Sequence, residues 1–248
     1  MNHLIETTET QTPLHYVRIA WQSALAASLC LGLPAGLLFW LIMFQRLRPS
    51  HVVERLMAIL SNGGGFEGTF IIIGVLAGAF GWGIILSKIS GYRLWLWLAM
   101  ASVLGVYLGR QLFWGVYRWL NIDFSSLPIH MTLAIHLSGL VLSITFCTGL
   151  AHGLLLQNWR SILTLAFSTS LVSVLAVLLT IIILDQLGLR VGTGNAAMPK
   201  VTAICTMAAA ITGGMTLGVL FSRYLEKGNL EISSSIQVVS GSKNSSSS

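Results

Sequence analysis

The sequence predicts an all-α integral membrane protein built as a six-helix transmembrane bundle. Three observations carry this. Apolar residues make up 54% of the 248 residues and charged ones only 9%, whereas a soluble domain needs about 25% charged residues to face water. Six stretches are long and apolar enough to cross a hydrocarbon core of about 30 Å, which takes about 20 residues of α-helix. Period-two alternation is absent, which disfavours an outer-membrane barrel. A chain this poor in charge cannot coat a globule of its size in water, so a soluble enzyme, a nucleic-acid-binding domain and a disordered protein are excluded. The net charge of +6 does not point to nucleic acid either, because most of the 14 basic residues lie at the ends of apolar runs.

An N-terminal tail over 1–17 leads into a membrane domain over 18–227. Span one covers about 19–43, opened by Arg18 and Trp21 and closed by Gln45, Arg46 and Arg48. Its apolar run exceeds the 7–15 residues of a signal-peptide core, so it reads as retained. Residues 50–61 place Val52, Val53, Leu56, Met57 and Leu60 at helical spacing. That predicts a short amphipathic helix on the membrane surface. Gly63, Gly64 and Gly65 then join it to span two, about 66–87.

Lys88, Gly91 and Arg93 make a tight turn into span three, about 94–113, with Tyr92, Trp95 and Trp97 at one interface and Trp114, Tyr117 and Trp119 at the other. Such aromatic belts mark the two membrane surfaces. Span four covers about 131–156, and Asn158, Trp159 and Arg160 turn the chain into span five, about 161–184. Gly192, Gly194, Asn195 and Pro199 interrupt the chain before span six, about 199–222. A tail over 228–248 carries nine serines from 233 onward and has too little apolar content to pack, so it is predicted to be disordered.

The even-numbered spans end alike. Ala79-x-x-x-Gly83, Gly149-x-x-x-Gly153 and Gly214-x-x-x-Gly218 are each followed by three apolar residues and a polar terminus, and Gly32-x-x-x-Gly36 in span one is a partial relative. Two small residues one turn apart form a flat groove in which a second helix packs closely in lipid. These eight residues are the candidate packing positions, and the recurrence suggests three tandem helical hairpins. Convergent packing chemistry at helix ends would give the same pattern.

Candidate chemistry is sparse. His136 and His152 lie in span four, about 24 Å apart and about 160° around the helix, so they cannot share a metal. His152 falls where the other two repeats have Trp82 and Leu217. Cys30, Cys147 and Cys205 lie in different spans without metal-ligand spacing and read as small packing residues. None of the eight carboxylates reaches a span centre, which weakens an ion-coupled carrier. No protease, phosphate-loop or nucleotide motif is present. The expectation is therefore a non-enzyme without cofactor or metal.

Arg110 and Gln111 are the most polar pair within an apolar run. Arg110 lies about 24 Å along its helix from residue 94, near enough to an interface to snorkel. Together with His136, Ser138 and His152 they form the candidate polar lining. The hairpins with short basic turns resemble those of bacterial multi-pass proteins, a similarity that implies no activity. The location this resemblance implies is the bacterial cytoplasmic membrane. Basic residues divide seven and seven between the two sides, so the positive-inside rule does not choose an orientation. Even span counts commonly put both termini in the cytoplasm, and that is the expectation adopted.

Two functions fit. One is a small-solute transport or permease-like component without a central ionisable site. The other is a non-catalytic accessory, assembly or scaffold subunit. The expected partners are the lipid bilayer and either further copies of the chain or another membrane protein, with no nucleic acid. A polar stripe facing the bundle interior favours transport. Small residues facing lipid favour a partner surface.

Overall fold

The computed structural model describes the backbone of residues 13–33, 66–120, 129–188 and 197–243, with side chains over 14–33, 73–120, 131–188 and 200–227. Every regular element among them is helical. The order is α1 Pro13–Ala27 with a π-helical turn Ser28–Gly32, α2 Phe66–Ser90, α3 Trp95–Leu120, α4 Ile129–Leu155, α5 Trp159–Gln186 and α6 Ala197–Lys243. Five of these, α2 to α6, are long and apolar enough to cross a membrane. At 26 residues, for instance, α3 spans about 39 Å, more than the hydrocarbon core requires. The first predicted span is helical through Gly32, and its remainder and the predicted surface helix over 50–61 lie outside the described residues.

Two boundaries differ from the sequence reading. Helix α3 continues to Leu120, because the apolar run resumes after Gln111 and nothing from 112 to 120 breaks a helix. Arg110 therefore lies ten residues inside the helix end, about 15 Å from it, and one turn from Trp114. Helix α6 runs on to Lys243, where composition predicts an unstructured tail. Extending an existing helix adds one hydrogen bond per residue without a new nucleus, so weak helix formers can follow strong ones.

Short reversals fix the hairpins. At the end of α2, Tyr92 N–H donates to the Ser87 carbonyl at 3.0 Å while Gly91 takes φ +67°. This is a Schellman closure, in which the left-handed position suits glycine. Between α4 and α5 the Asn158 side chain accepts from Arg160 N–H at 3.0 Å and caps α5. The helices then follow one another around a closed ring, α1 beside α2, each next to its successor, and α6 back against α1. Helix α6 leans inward and also touches α2 and α4.

A glycine sits at every contact in this ring. A methyl built on Gly83 would lie 2.5 Å from Ala99 Cα, joining α2 to α3. On α4, Gly149 and Gly153 would each come within 2.6 Å of α5 backbone, at Ala166 and Ile162. On α6, Gly214 abuts Ala27 and Gly218 abuts Ser23, both on α1. In the last two pairs, four residues forward on one helix matches four back on its partner, which is antiparallel register. Gly105 and Gly109 of α3 press on Thr148 and Ile144 of α4 in the same way, and Gly213 of α6 meets Ser173 of α5. The π-turn brings the Cys30 carbonyl onto Gly78 of α2, and Gly32 lies against Met207 of α6. Gly36 is outside the described residues.

These contacts make a graded test. Gly83→Leu, Gly153→Leu and Gly218→Leu should each cost at least about 1–3 kcal/mol through overpacking, lowering the melting temperature of the detergent-purified protein. Gly115→Leu should leave it unchanged, since nothing lies within 4 Å of a Cβ there. Equal melting temperatures for all four variants would remove the packing role.

Candidate functional site

Two clusters of buried apolar side chains divide the bundle. One joins Leu133, Leu137 and Val141 of α4 to Val177 and Leu184 of α5 and Val201 and Cys205 of α6. The other draws Ala26 and Ala27, Trp82 and Leu86, Leu98, Leu165, and Leu217 and Phe221 from five helices. The sixth helix, α4, adds His152, whose ring lies 5.5 Å from that of Trp82 and 6.0 Å from that of Phe221.

His152 is fully buried. Its Nδ1 lies 2.8 Å from the Thr148 carbonyl, which can only accept, so Nδ1 carries the proton. In the neutral ring Nε2 is then an acceptor. It lies 3.2 Å from Ser102 Oγ of α3. That hydroxyl has a second acceptor in reach, the Leu98 carbonyl at 2.8 Å, so its one proton serves either Leu98 or His152.

Most hydroxyls in the described helices are satisfied along their own helix. Thr145, Thr148, Ser170, Thr180 and Thr216 donate to the carbonyl four residues back. Ser23 Oγ, Trp82 Nε1 and Ser222 Oγ, by contrast, are buried without a partner. All three are on helices that frame the His152 cluster. Each such group costs about 1–3 kcal/mol, and in a bilayer there is no water outside to offset it. Thr169 Oγ1 and Ser138 Oγ are likewise unpartnered.

Beside this cluster a cleft of about 660 Å³ opens at the end of the bundle formed by the start of α1, the α2–α3 turn and α6. Ile19, Ile89, Leu225 and Ser222 line it along with Tyr92, Lys88, Arg93, His15 and Glu226. The Tyr92 ring meets Phe221 edge-on at 6.0 Å, and Phe221 in turn contacts His152. A single aromatic side chain thus bridges the cleft wall and the buried imidazole. Glu226 is turned toward α1, accepting from the Tyr16 hydroxyl and lying 3.8 Å from His15 Nε2. The hydrogen bond to Glu226, reinforced by desolvation, raises the Tyr16 phenol above its usual pKa. Arg223 stacks over the Tyr16 ring at 4.7 Å.

The other candidate lining residues do not join this site. His136 is half-buried among Phe113, Trp114 and Tyr117, with ring centroids 4.9, 5.6 and 6.0 Å away. It therefore belongs to an aromatic contact between α3 and α4. Arg110 is half-buried. Gln111 is exposed on the outside of the bundle, in a groove with Leu108, Leu112 and Trp119, because the rotation of α3 that points Gly105 and Gly109 at α4 turns Gln111 away. Ser102, Trp82, Ser23 and Ser222 were not singled out in the sequence as lining. A serine or tryptophan within an apolar helix carries no local signal that separates an interior position from a lipid-facing one. Among the described residues no group of three or more histidines, cysteines or carboxylates could hold a metal.

The fold defines a multi-pass α-helical membrane protein. No family model, curated protein or solved structure matches the chain.

The Ser102–His152 contact can be measured. Hydrogen bonds between membrane helices average about 0.6 kcal/mol and reach about 1.7. A double-mutant cycle of Ser102→Ala and His152→Leu should return a coupling in that range, measured by unfolding in mixed micelles. Strictly additive effects would mean that the pair does not bond.

Proposed function

We propose that the chain is a small-solute transport component of a cellular membrane, with the solute handled at the His152 end of the bundle. One observation carries the reading: an interior imidazole packed against Trp82, whose Nε1 is unpartnered, lies near an open cleft with Phe221 between them, and Ser23 Oγ and Ser222 Oγ on the adjoining α1 and α6 are unpartnered as well. Unpaired polar groups in a membrane interior are expensive, and a polar solute or water passing through would satisfy them. The repeated glycines support the same choice. They face neighbouring helices of the same chain and so leave less small-residue surface for a partner, which is what the accessory-subunit reading requires.

The bundle is, in this reading, three hairpin-related units. Trp82, His152 and Leu217 occupy equivalent places in the even-numbered helices and are all buried, at 2%, 0% and 0% exposure. One turn further, Leu86, Leu156 and Phe221 all belong to or pack against the same cluster. The glycines of α6 contact α1 as those of α4 contact α5, so the last helix closes onto the first as a third hairpin would. The reading assigns no catalysis, places the protein in the bacterial cytoplasmic membrane and puts both termini in the cytoplasm.

Proteoliposomes holding the full chain test it. Light scattering after mixing with a panel of small polar solutes should show at least one equilibrating faster than in protein-free vesicles, at a rate altered by Phe221→Leu. Purification from native membranes in mild detergent should yield the chain alone or as a homo-oligomer. No accelerated solute, together with a stoichiometric partner protein, would replace transport with the accessory role.

A further inference from the structure

The same end of the bundle carries a charge imbalance that the interior site does not explain. Arg18, Lys88, Arg93, Arg160, Arg223 and Lys227 lie there, and Glu226 is the acidic side chain described among them. Glu226 is engaged by Tyr16 and His15, and Arg223 lies over Tyr16. Lys88 and Arg93 have no acidic partner among the described residues. They flank the α2–α3 turn and line the 660 Å³ cleft from one side. Ser222 Oγ, on a residue 3% exposed, lines the same cleft and is unpartnered.

We infer that this cleft binds a phosphate-bearing anion, with Lys88 and Arg93 as its charge partners and the Ser222 hydroxyl as a donor to one of its oxygens. Arginine and lysine supply charge-assisted donors to phosphate, and a buried serine proton without a protein acceptor completes such a set. Glu226 opposes an anion, but its hydrogen bond and near ion pair hold the carboxylate toward α1. A second recess of about 490 Å³ on the other side of the turn shares Lys88, Gly91, Tyr92 and Arg93 and is otherwise lined by Ile84, Ser87 and Trp95. An acyl chain would lie along Ile84 and Trp95 while its headgroup rests between the two cations. The ligand's source is thus either an anionic phospholipid headgroup or a free phosphate ester. The two readings share the cleft and Ser222, but the cation pair is distinct from His152, so the Lys88 and Arg93 variants test the anion site apart from the solute reading.

Detergent-purified full-length protein, stripped of lipid, can be titrated in parallel with phosphatidylglycerol, phosphatidylcholine and inorganic phosphate, and binding read by native mass spectrometry. Phosphatidylglycerol should bind at least about tenfold more tightly than phosphatidylcholine, and Lys88→Ala/Arg93→Ala should erase that preference. The exchanged pair Lys88→Arg/Arg93→Lys should keep it, and Arg160→Ala, at the same end but outside the cleft, should be neutral. Competition by inorganic phosphate at similar affinity would identify a free phosphate ester as the ligand, and its failure to compete would identify the lipid. Equal binding of the two lipids, or full retention of binding by the doubly neutralised variant with wild-type elution and melting, would overturn the assignment.

Discussion

Close approach of backbones through glycine is the constraint on which the rest of this bundle depends. In a bilayer the hydrophobic effect does not favour one helix meeting another, because lipid tails are as apolar as leucine, and association rests on packing and hydrogen bonds. At Gly83, Gly105, Gly109, Gly149, Gly153 and Gly218 a neighbouring helix lies where a side chain would otherwise project. The register of each pair follows from this, since glycines four residues apart fit only one alignment of the partner. The inward faces follow as well, because a helix fixed by its glycines has its rotation fixed too.

That rotation decides the polar chemistry. Helix α4 meets α3 at Thr148 and Ile144 and α5 through Gly149 and Gly153, which leaves His152 pointing between α2 and α6 toward Trp82 and Phe221. Most hydroxyls in the bundle are silenced by their own helix, folded back onto a carbonyl one turn away. The unpartnered groups on the helices that frame the His152 cluster depart from that economy. Three of the five unpartnered buried polar groups, Ser23 Oγ, Trp82 Nε1 and Ser222 Oγ, are on helices that frame the aromatic cluster, at the end where a cleft opens.

Much of the architecture was legible in the sequence because composition and length speak directly to lipid. The five crossing helices, the turns at Gly91 and Asn158, and the close approach of Gly83, Gly149, Gly153, Gly214 and Gly218 all follow from residue type and spacing. The motif Gly105-x-x-x-Gly109 has the same spacing but is followed directly by Arg110 and Gln111 rather than by three apolar residues and a polar terminus, so it stands outside the repeated pattern. Side-chain direction was less accessible. Gln111 and His152 look alike as isolated polar residues in apolar runs, yet one lies outside the bundle and the other at its core. That difference is set by neighbours distant in sequence. The end of α3 was hidden for a related reason, because a helix continues through a polar pair when apolar residues resume beyond it.

The closed ring has a consequence for biogenesis. Helix α1 precedes its main neighbour α6 by most of the bundle, and the Tyr16–Glu226 contact joins residues 210 apart. At about 5–20 residues per second, synthesis leaves α1 waiting roughly 10–40 s. During that interval Ser23 and Ala27, the residues that later receive Gly218 and Gly214, have lipid or the insertion machinery for company. The order of synthesis is therefore not the order of assembly: α3, α4 and α5 can dock as they emerge, while the seam between α1 and α6 closes only once α6 has been made.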